Sequence, residues 1–329
     1  MVAELATVGM DGAGAPPPVS AESPLEERLG FAAVMEEAYR PLLSGLYEGL
    51  PPVEGVSSRT EVIAGSDGND LALYIHSPSV DGGPRPCIYH IHGGGMAILT
   101  AADPWYVRWR DELAAAGLVV VGVEFRNAAG ALGVHPFPAG LDDCAAGLAW
   151  VSSHAAELGI SKVVLSGESG GGNLSLATAI RAKREGGLGR IAGVYALCPY
   201  ISNEWAVKNS ALPSLYENDD YFVACEMFGI LSSLYDPTGA HGTDPLCWPY
   251  YATPADLEGL PPHVISVNEL DPLRDEGLAY YQTLNAAGVS VVGRTGNGTC
   301  HAGDVIFRRA MPEVYAATVR DIKGFADAL

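Results

Sequence analysis

No apolar run in these 329 residues is longer than a strand, so the sequence offers no transmembrane helix. Basic residues are scarce. Nineteen Lys and Arg stand against 39 Asp and Glu, a formal charge of −20, which argues against nucleic acid or an anionic membrane as a direct partner. The first twenty residues hold no Lys or Arg and no continuous apolar core, and do not read as a secretory signal. The six cysteines (Cys87, Cys144, Cys198, Cys225, Cys247 and Cys300) show no CxxC spacing and read as reduced, buried thiols of a cytoplasmic protein. No GxGxxG pattern and no glycine loop ending in Lys-Ser/Thr is present, which excludes the usual phosphate cradles.

What is present is an alternation. Hydrophobic content of 48% suffices for a large core. Residues 1 to about 20, rich in Gly, Pro and Ala, read as mobile. Ser23-Pro24-Leu25-Glu26 has the form of a capping box. Apolar spacing from Leu25 to Tyr47 predicts one or two short helices broken near Pro41. Strands are expected at 61–64, 71–75, 87–91, 118–125, 162–166, 193–198, 263–268 and 289–295. The turn at 65–69 joins the first two as a hairpin, and helical stretches separate most of the others. The fold class is α/β: a mostly parallel eight-stranded sheet with helices on both faces. One link is too long for a crossover helix, since 263 − 198 = 65 positions. It is rich in aromatic residues and leaves the carboxyl end of a strand, the side where such sheets bind ligands. Residues 1–50 and 201–252 are therefore read as two parts of a helical cap, and 51–200 with 253–329 as the catalytic domain.

Three motifs carry chemistry. An apolar run from Lys162 enters Gly167-Glu168-Ser169-Gly170-Gly171 and continues into a Leu/Ala-rich helix. Strand, glycine-flanked serine and helix together make a nucleophile elbow: the tight turn exposes the Ser169 hydroxyl and leaves no room for side chains at Gly167 or Gly171. His92-Gly93-Gly94-Gly95 follows directly on a strand. Consecutive glycines are costly in entropy, and a need for bare N–H groups facing an oxyanion accounts for them. The donors are assigned to Gly94, Gly95 and Gly170, with His92 orienting the loop. Asp271 and His301 each follow a strand, and the chain order Ser169, Asp271, His301 is that of the α/β-hydrolases. Asp275 and Glu276 read as acids of a helix's first turn, and Asp304 as too close to His301 on one loop to orient it. Cys300 reads as a chance neighbour of His301, and no metal-ligand cluster is apparent.

His92–Gly95, Gly167–Asn173, Asp271–Asp275 and His301, with His135–Asp143 before the elbow strand, together resemble the bacterial hormone-sensitive-lipase-like esterases, over about residues 51–329. The resemblance implies an α/β-hydrolase fold, a two-part helical cap, no cofactor, and hydrolysis of short- to medium-chain carboxylic esters through an acyl-enzyme. It also implies Gly94, Gly95 and Gly170 as oxyanion donors. An amidase or arylacetamide-type deacylase with the same triad is the runner-up, and a non-catalytic receptor on this fold a distant third. A small-molecule ester is the expected partner, nucleic acid and membrane are not, and a homodimer is left open. The chain departs from the family's frequent residues with Glu168 for Asp, Gly170 for Ala, Met96 for an aromatic, and Phe125–Gly130 for the usual Tyr-Arg-Leu-Ala-Pro-Glu. Those differences bear on the substrate rather than on the reaction.

Overall fold

A computed structural model describes residue 6, 16–80, 82–205 and 209–329. Most of the lead-in expected to be mobile therefore lies outside the described residues. The elements run α1 (Leu25–Gly45), β1 (Val56–Ala64), β2 (Asp70–Pro78), β3 (Arg85–Ile91), α2 (Pro104–Ala115), β4 (Val119–Val123), α3 (Ala139–Ser153), β5 (Ile160–Glu168), α4 (Gly170–Arg184) and β6 (Gly193–Leu197). After β6 come α5 (Ser214–Glu217), α6 (Cys225–Tyr235), α7 (Pro254–Leu257), β7 (His263–Leu270), α8 (Arg274–Ala286), β8 (Val291–Cys300), α9 (Gly303–Ile306) and α10 (Pro312–Ala328).

The eight strands form one sheet in the order β1-β2-β4-β3-β5-β6-β7-β8. β1 and β2 are the expected hairpin, closed by Gly65 N–H on the Asn69 carbonyl at 2.7 Å. β2 also meets β4 antiparallel, and from β4 to β8 every pairing is parallel. The central strands are apolar on both faces. Val119, Val121 and Val123 enter one buried layer, while Val120 enters the other with Ile88, Val164 and Tyr195. Each such buried aliphatic side chain contributes about 1.5–3 kcal/mol, and two helical layers are needed to cover both faces. α2 ends as its glycine predicts: Gly117, at φ +105°, donates to the Ala114 carbonyl at 2.8 Å.

Two local expectations are corrected. The capping box does not form. Pro24 is the N-cap residue, and the Ser23 hydroxyl accepts from Ser20 N–H instead, at 3.0 Å. Nor does Pro41 break the first helix, which continues through it to Gly45. The lost hydrogen bond is offset by burial of Leu43 and Leu46 beyond the proline. β1 and β2 are also longer than expected, because the hairpin extends into residues that lack an apolar alternation, most of those in β1 facing solvent.

α1 and the long link between β6 and β7 meet above the carboxyl ends of the parallel strands. Arg28 Nη1 donates to the Ser233 carbonyl at 2.7 Å, and both segments line one cavity of about 760 Å³.

Candidate active site

The sheet register brings two pairs of strand ends together. Ile91, the last residue of β3, pairs with Gly167 near the end of β5. At the far side Leu270 of β7 pairs with Cys300 of β8, so the residues that follow them, Asp271 and His301, emerge side by side. Asp271 is fully buried, and its Oδ2 lies 2.9 Å from His301 Nδ1. Its Oδ1 accepts from Leu273 N–H at 2.9 Å, so both carboxylate oxygens are engaged.

Ser169 sits at φ +56°, ψ −119°, a conformation that costs a non-glycine residue on the order of 1–3 kcal/mol. The surroundings hold it there. Ser169 N–H donates to the Leu197 carbonyl, and the Ser169 carbonyl accepts from Asn173 and Tyr200 N–H, each at 3.0 Å. The flanking glycines answer to crowding, as expected: a Cβ on Gly167 would lie 2.3 Å from the Ile91 carbonyl oxygen, and one on Gly171 only 1.9 Å from it. α4 begins at Gly170, so its N-terminus points its N–H groups toward the serine. Ser169 and His301 both line the cavity, together with Gly93, Gly94 and Gly95.

The glycine loop folds back on itself in left-handed conformations, with φ +92° at Gly94, +62° at Gly95 and +58° at Met96. Gly94 leaves no alternative residue, because a Cβ there would lie 2.1 Å from the Ile98 carbonyl oxygen. The loop presses on the elbow. A Cβ on Gly170 would sit 2.6 Å from Met96 N and 2.8 Å from Gly95 N. The glycine that replaces the family's frequent alanine is thus a buried spacer between two backbones. Glu168 joins the same two segments by accepting from Gly93 N–H at 2.6 Å. His92 is fully buried, stacked on Phe125 with ring centroids 4.3 Å apart, and its Nδ1 lies 2.8 Å from the Gly93 carbonyl oxygen. Burial pushes its pKa down to about 3, so it stays neutral and props the loop.

The competing acids have other partners. Glu269 accepts from Gly298 N–H at 2.7 Å. Asp275 pairs with Arg274 and accepts from Ser214 N–H. Asp304 accepts from Asn268 and Thr318. Glu276 does lie in the first turn of α8, but it is buried rather than solvated and accepts from Ile201 N–H at 2.6 Å and from the Ser202 hydroxyl at 2.7 Å. Burial pushes its carboxyl up to about 8.

All six cysteines are buried thiols, and burial pushes Cys300 up to about 12. Cys198 escaped the sequence reading: its Sγ lies within 4.8 Å of the Asp271 and His301 ligand atoms. Burial raises that thiol well above its usual range and keeps it protonated, a poor metal ligand. A second unforeseen residue is Glu36 of α1, which is 2% exposed and reaches the loop that follows the glycines. Its signal was positional: Glu36 follows Leu29 by seven residues and Ala32 by four, on the apolar face of the helix.

Residues 88–304 match a family described by the α/β hydrolase fold. Carboxylesterase NlhH of Mycobacterium tuberculosis is 35% identical over 277 residues, 82% of either chain. Esterase LipI of the same organism is 31% identical over 254 residues, 76% of this chain and 75% of its own. Among solved structures, brefeldin A esterase, described as a bacterial homologue of human hormone sensitive lipase, superposes with a TM-score of 0.95 at 47% identity, over 99% of this chain and 92% of its own.

Proposed function

Since the chain belongs to the hormone-sensitive-lipase-like esterases of the α/β-hydrolase fold and is a carboxylesterase, we propose that it cleaves short- to medium-chain acyl esters with Ser169, His301 and Asp271 as its triad. The observation that carries this reading is the 2.9 Å contact from His301 Nδ1 to a fully buried Asp271, beside a cavity that also holds the strained Ser169. In the proposed reaction the Ser169 oxygen attacks the ester carbonyl while His301 Nε2 takes the hydroxyl proton. Asp271 holds the imidazole tautomer and stabilises the imidazolium. The carbonyl oxygen, now negative, accepts hydrogen bonds from the N–H groups of Gly94, Gly95 and Gly170. Collapse returns the proton from His301 to the departing alcohol and leaves the acyl group on Ser169. A water activated by His301 then releases the acid. No step calls for a cofactor.

α1 and residues 201–252 are the two parts of the proposed cap, and they set acyl length. Phe31, Met35 and Leu43 from one part and Phe222, Met227 and Leu231 from the other line the cavity. Each added methylene gains about 0.8 kcal/mol until the wall is reached, after which overpacking costs about 1–3 kcal/mol. In a panel of p-nitrophenyl esters, kcat/KM should rise, peak at about four to eight carbons and then fall steeply, as apolar burial gives way to overpacking.

The triad is tested by labelling. A fluorophosphonate should modify the protein once, with the adduct mapping to Ser169, and Ser169→Ala should be inactive while folded. An adduct elsewhere, or retained activity in that variant, overturns the assignment.

A further inference from the structure

We propose that Glu36 of α1 is a positioning residue for the oxyanion loop, which makes α1 part of the catalytic apparatus as well as a wall of the cavity. The proposal rests on the reading above, in which Gly94, Gly95 and Gly170 receive the oxyanion.

A carboxylate placed on the apolar face of a helix costs stability unless it is fully partnered. Glu36 lies on the buried face of α1 with Ala32, Met35 and Leu43. Its Oε1 accepts from Leu99 N–H at 2.8 Å and from Arg40 Nη2 at 3.1 Å. Its Oε2 accepts from Ala131 N–H at 2.7 Å. The two backbone partners are 63 and 95 positions away, so the contacts serve tertiary structure rather than the helix.

Both partners belong to one small unit. The Gly94 carbonyl accepts from Ala97 and Ile98 N–H, which closes the loop on itself. Met96 and Ala97 offer their carbonyls to Ala128 and Ala129 N–H at 2.9 Å each. Leu99 and Ala131 lie just beyond this pairing on its two segments, and one Glu36 carboxylate clamps both. The clamp holds strained backbone. Leu99 sits at φ +72° with no glycine to ease it, and its carbonyl is held from the other side by Asn127 Nδ2 at 2.6 Å. Gly130, also at φ +72°, leaves space for the carboxylate, since a Cβ there would lie 2.4 Å from Oε2. Arg40 extends the link, pairing with Asp103 at 3.3 Å, and Asp103 accepts from Thr100 N–H at 2.9 Å.

Leu99 is four residues from Gly95. A small displacement of its N–H is passed along a loop that has no slack, because Gly95 and Met96 already touch Gly170. Oxyanion donors act through their position when charge develops, and a shift of about 1 Å at such a site costs on the order of a hundredfold in rate. The same helix offers Phe31 and Met35 to the cavity, so an acyl chain that seats against α1 also loads the clamp.

The test compares ligands that use the oxyanion loop with ligands that do not. For wild type, Glu36→Ala and Glu36→Gln, the measurements are kcat and KM on a short-chain p-nitrophenyl ester, the affinity of a trifluoromethyl ketone of equal acyl length, and that of the matching alkyl p-nitrophenyl ether. The ketone forms an oxyanion on Ser169, and the ether, lacking a carbonyl, reports only the cavity. Glu36→Ala should lower kcat and ketone affinity in parallel, by about 10- to 100-fold, and leave ether affinity within about twofold. Glu36→Gln keeps the shape and one acceptor and should recover part of the loss. Unchanged kcat in folded Glu36→Ala, or equal weakening of ketone and ether, overturns the proposal. If Glu36→Ala does not fold, Glu36→Gln decides: wild-type kcat and ketone affinity overturn it equally. A wild-type enzyme on which the ketone forms no adduct with Ser169 would refute the underlying oxyanion reading instead.

Discussion

The two halves of the candidate site are built by opposite means. On the side of Ser169 the construction works by removing side chains: Gly94, Gly167, Gly170 and Gly171 are bare because backbone already occupies the space a Cβ would need. On the side of His301 it works by supplying them. The Leu270–Cys300 register delivers Asp271 and His301 to adjacent positions, and the chemistry then depends on which atoms those side chains carry. The first half should therefore fail when an atom is added, and the second when an atom changes character at constant shape.

The sharpest break is Asp271→Asn. The amide fits the same space and offers Leu273 an oxygen, but it favours the wrong imidazole tautomer. Turnover should fall by about 10⁴, as in analogous triads, with a thermal midpoint near that of the wild type. Stopped-assay kinetics and calorimetry on one preparation read both quantities. A loss below tenfold would remove Asp271 from the reaction.

Gly170→Ala tests the other half with a single methyl. The new carbon must push Met96 N back from 2.6 Å, and Gly95 with it. Turnover should drop by about 10- to 100-fold with KM little altered, because the proposed oxyanion donors move and the cavity does not. Kinetics equal to wild type would mean the loop yields freely and that glycine here is incidental.

The smallest effect sharpens the comparison behind Asp271, where Glu276 is held by shape and hydrogen bonds alone. Its carboxyl keeps its proton up to about 8 in the folded chain, against about 4.5 ordinarily. The sign follows from linkage: the folded state binds the extra proton, so this contribution is complete below about pH 4.5 and is lost as pH rises through 8. Glu276→Gln, whose amide can still accept from Ile201 and donate to the Ser202 hydroxyl, should fold and should lose less thermal stability than wild type between pH 5 and pH 8.5. An identical pH profile in scanning fluorimetry would show that Glu276 does not titrate in that window.

The same contrast explains what could be read before the fold was known. Glycines forced by crowding advertise themselves, since runs such as Gly93–Gly95 and Gly170–Gly172 are costly unless a tight approach requires them. Asp271 was legible as a candidate through its place just after an apolar strand, and His301 through its place in chain order beyond the last strand. Glu276 was not, because it looks like a solvated helical acid until the contact across 75 positions is known, and Glu36 showed only its place on the apolar face of α1, not its partners 63 and 95 positions away. Cys198 was hidden in the same way: a thiol ending an apolar strand reads as core, and only the sheet order sets it beside the triad candidates. The helix through Pro41 and the absent box at Ser23 went astray for a different reason. Local rules measured their cost, while burial of Leu43 and Leu46 decided the outcome at Pro41 and the Ser20 N–H took up the hydroxyl at Ser23.

The separation between Glu36 and its partners also has a meaning in time. Chains emerge amino end first, at about 5–20 residues per second. Ala131 leaves the ribosome 95 positions after Glu36, so α1 waits on the order of ten seconds for that anchor. A nascent chain thus leaves Glu36 without its Ala131 partner while a further 95 of the 329 residues are synthesised.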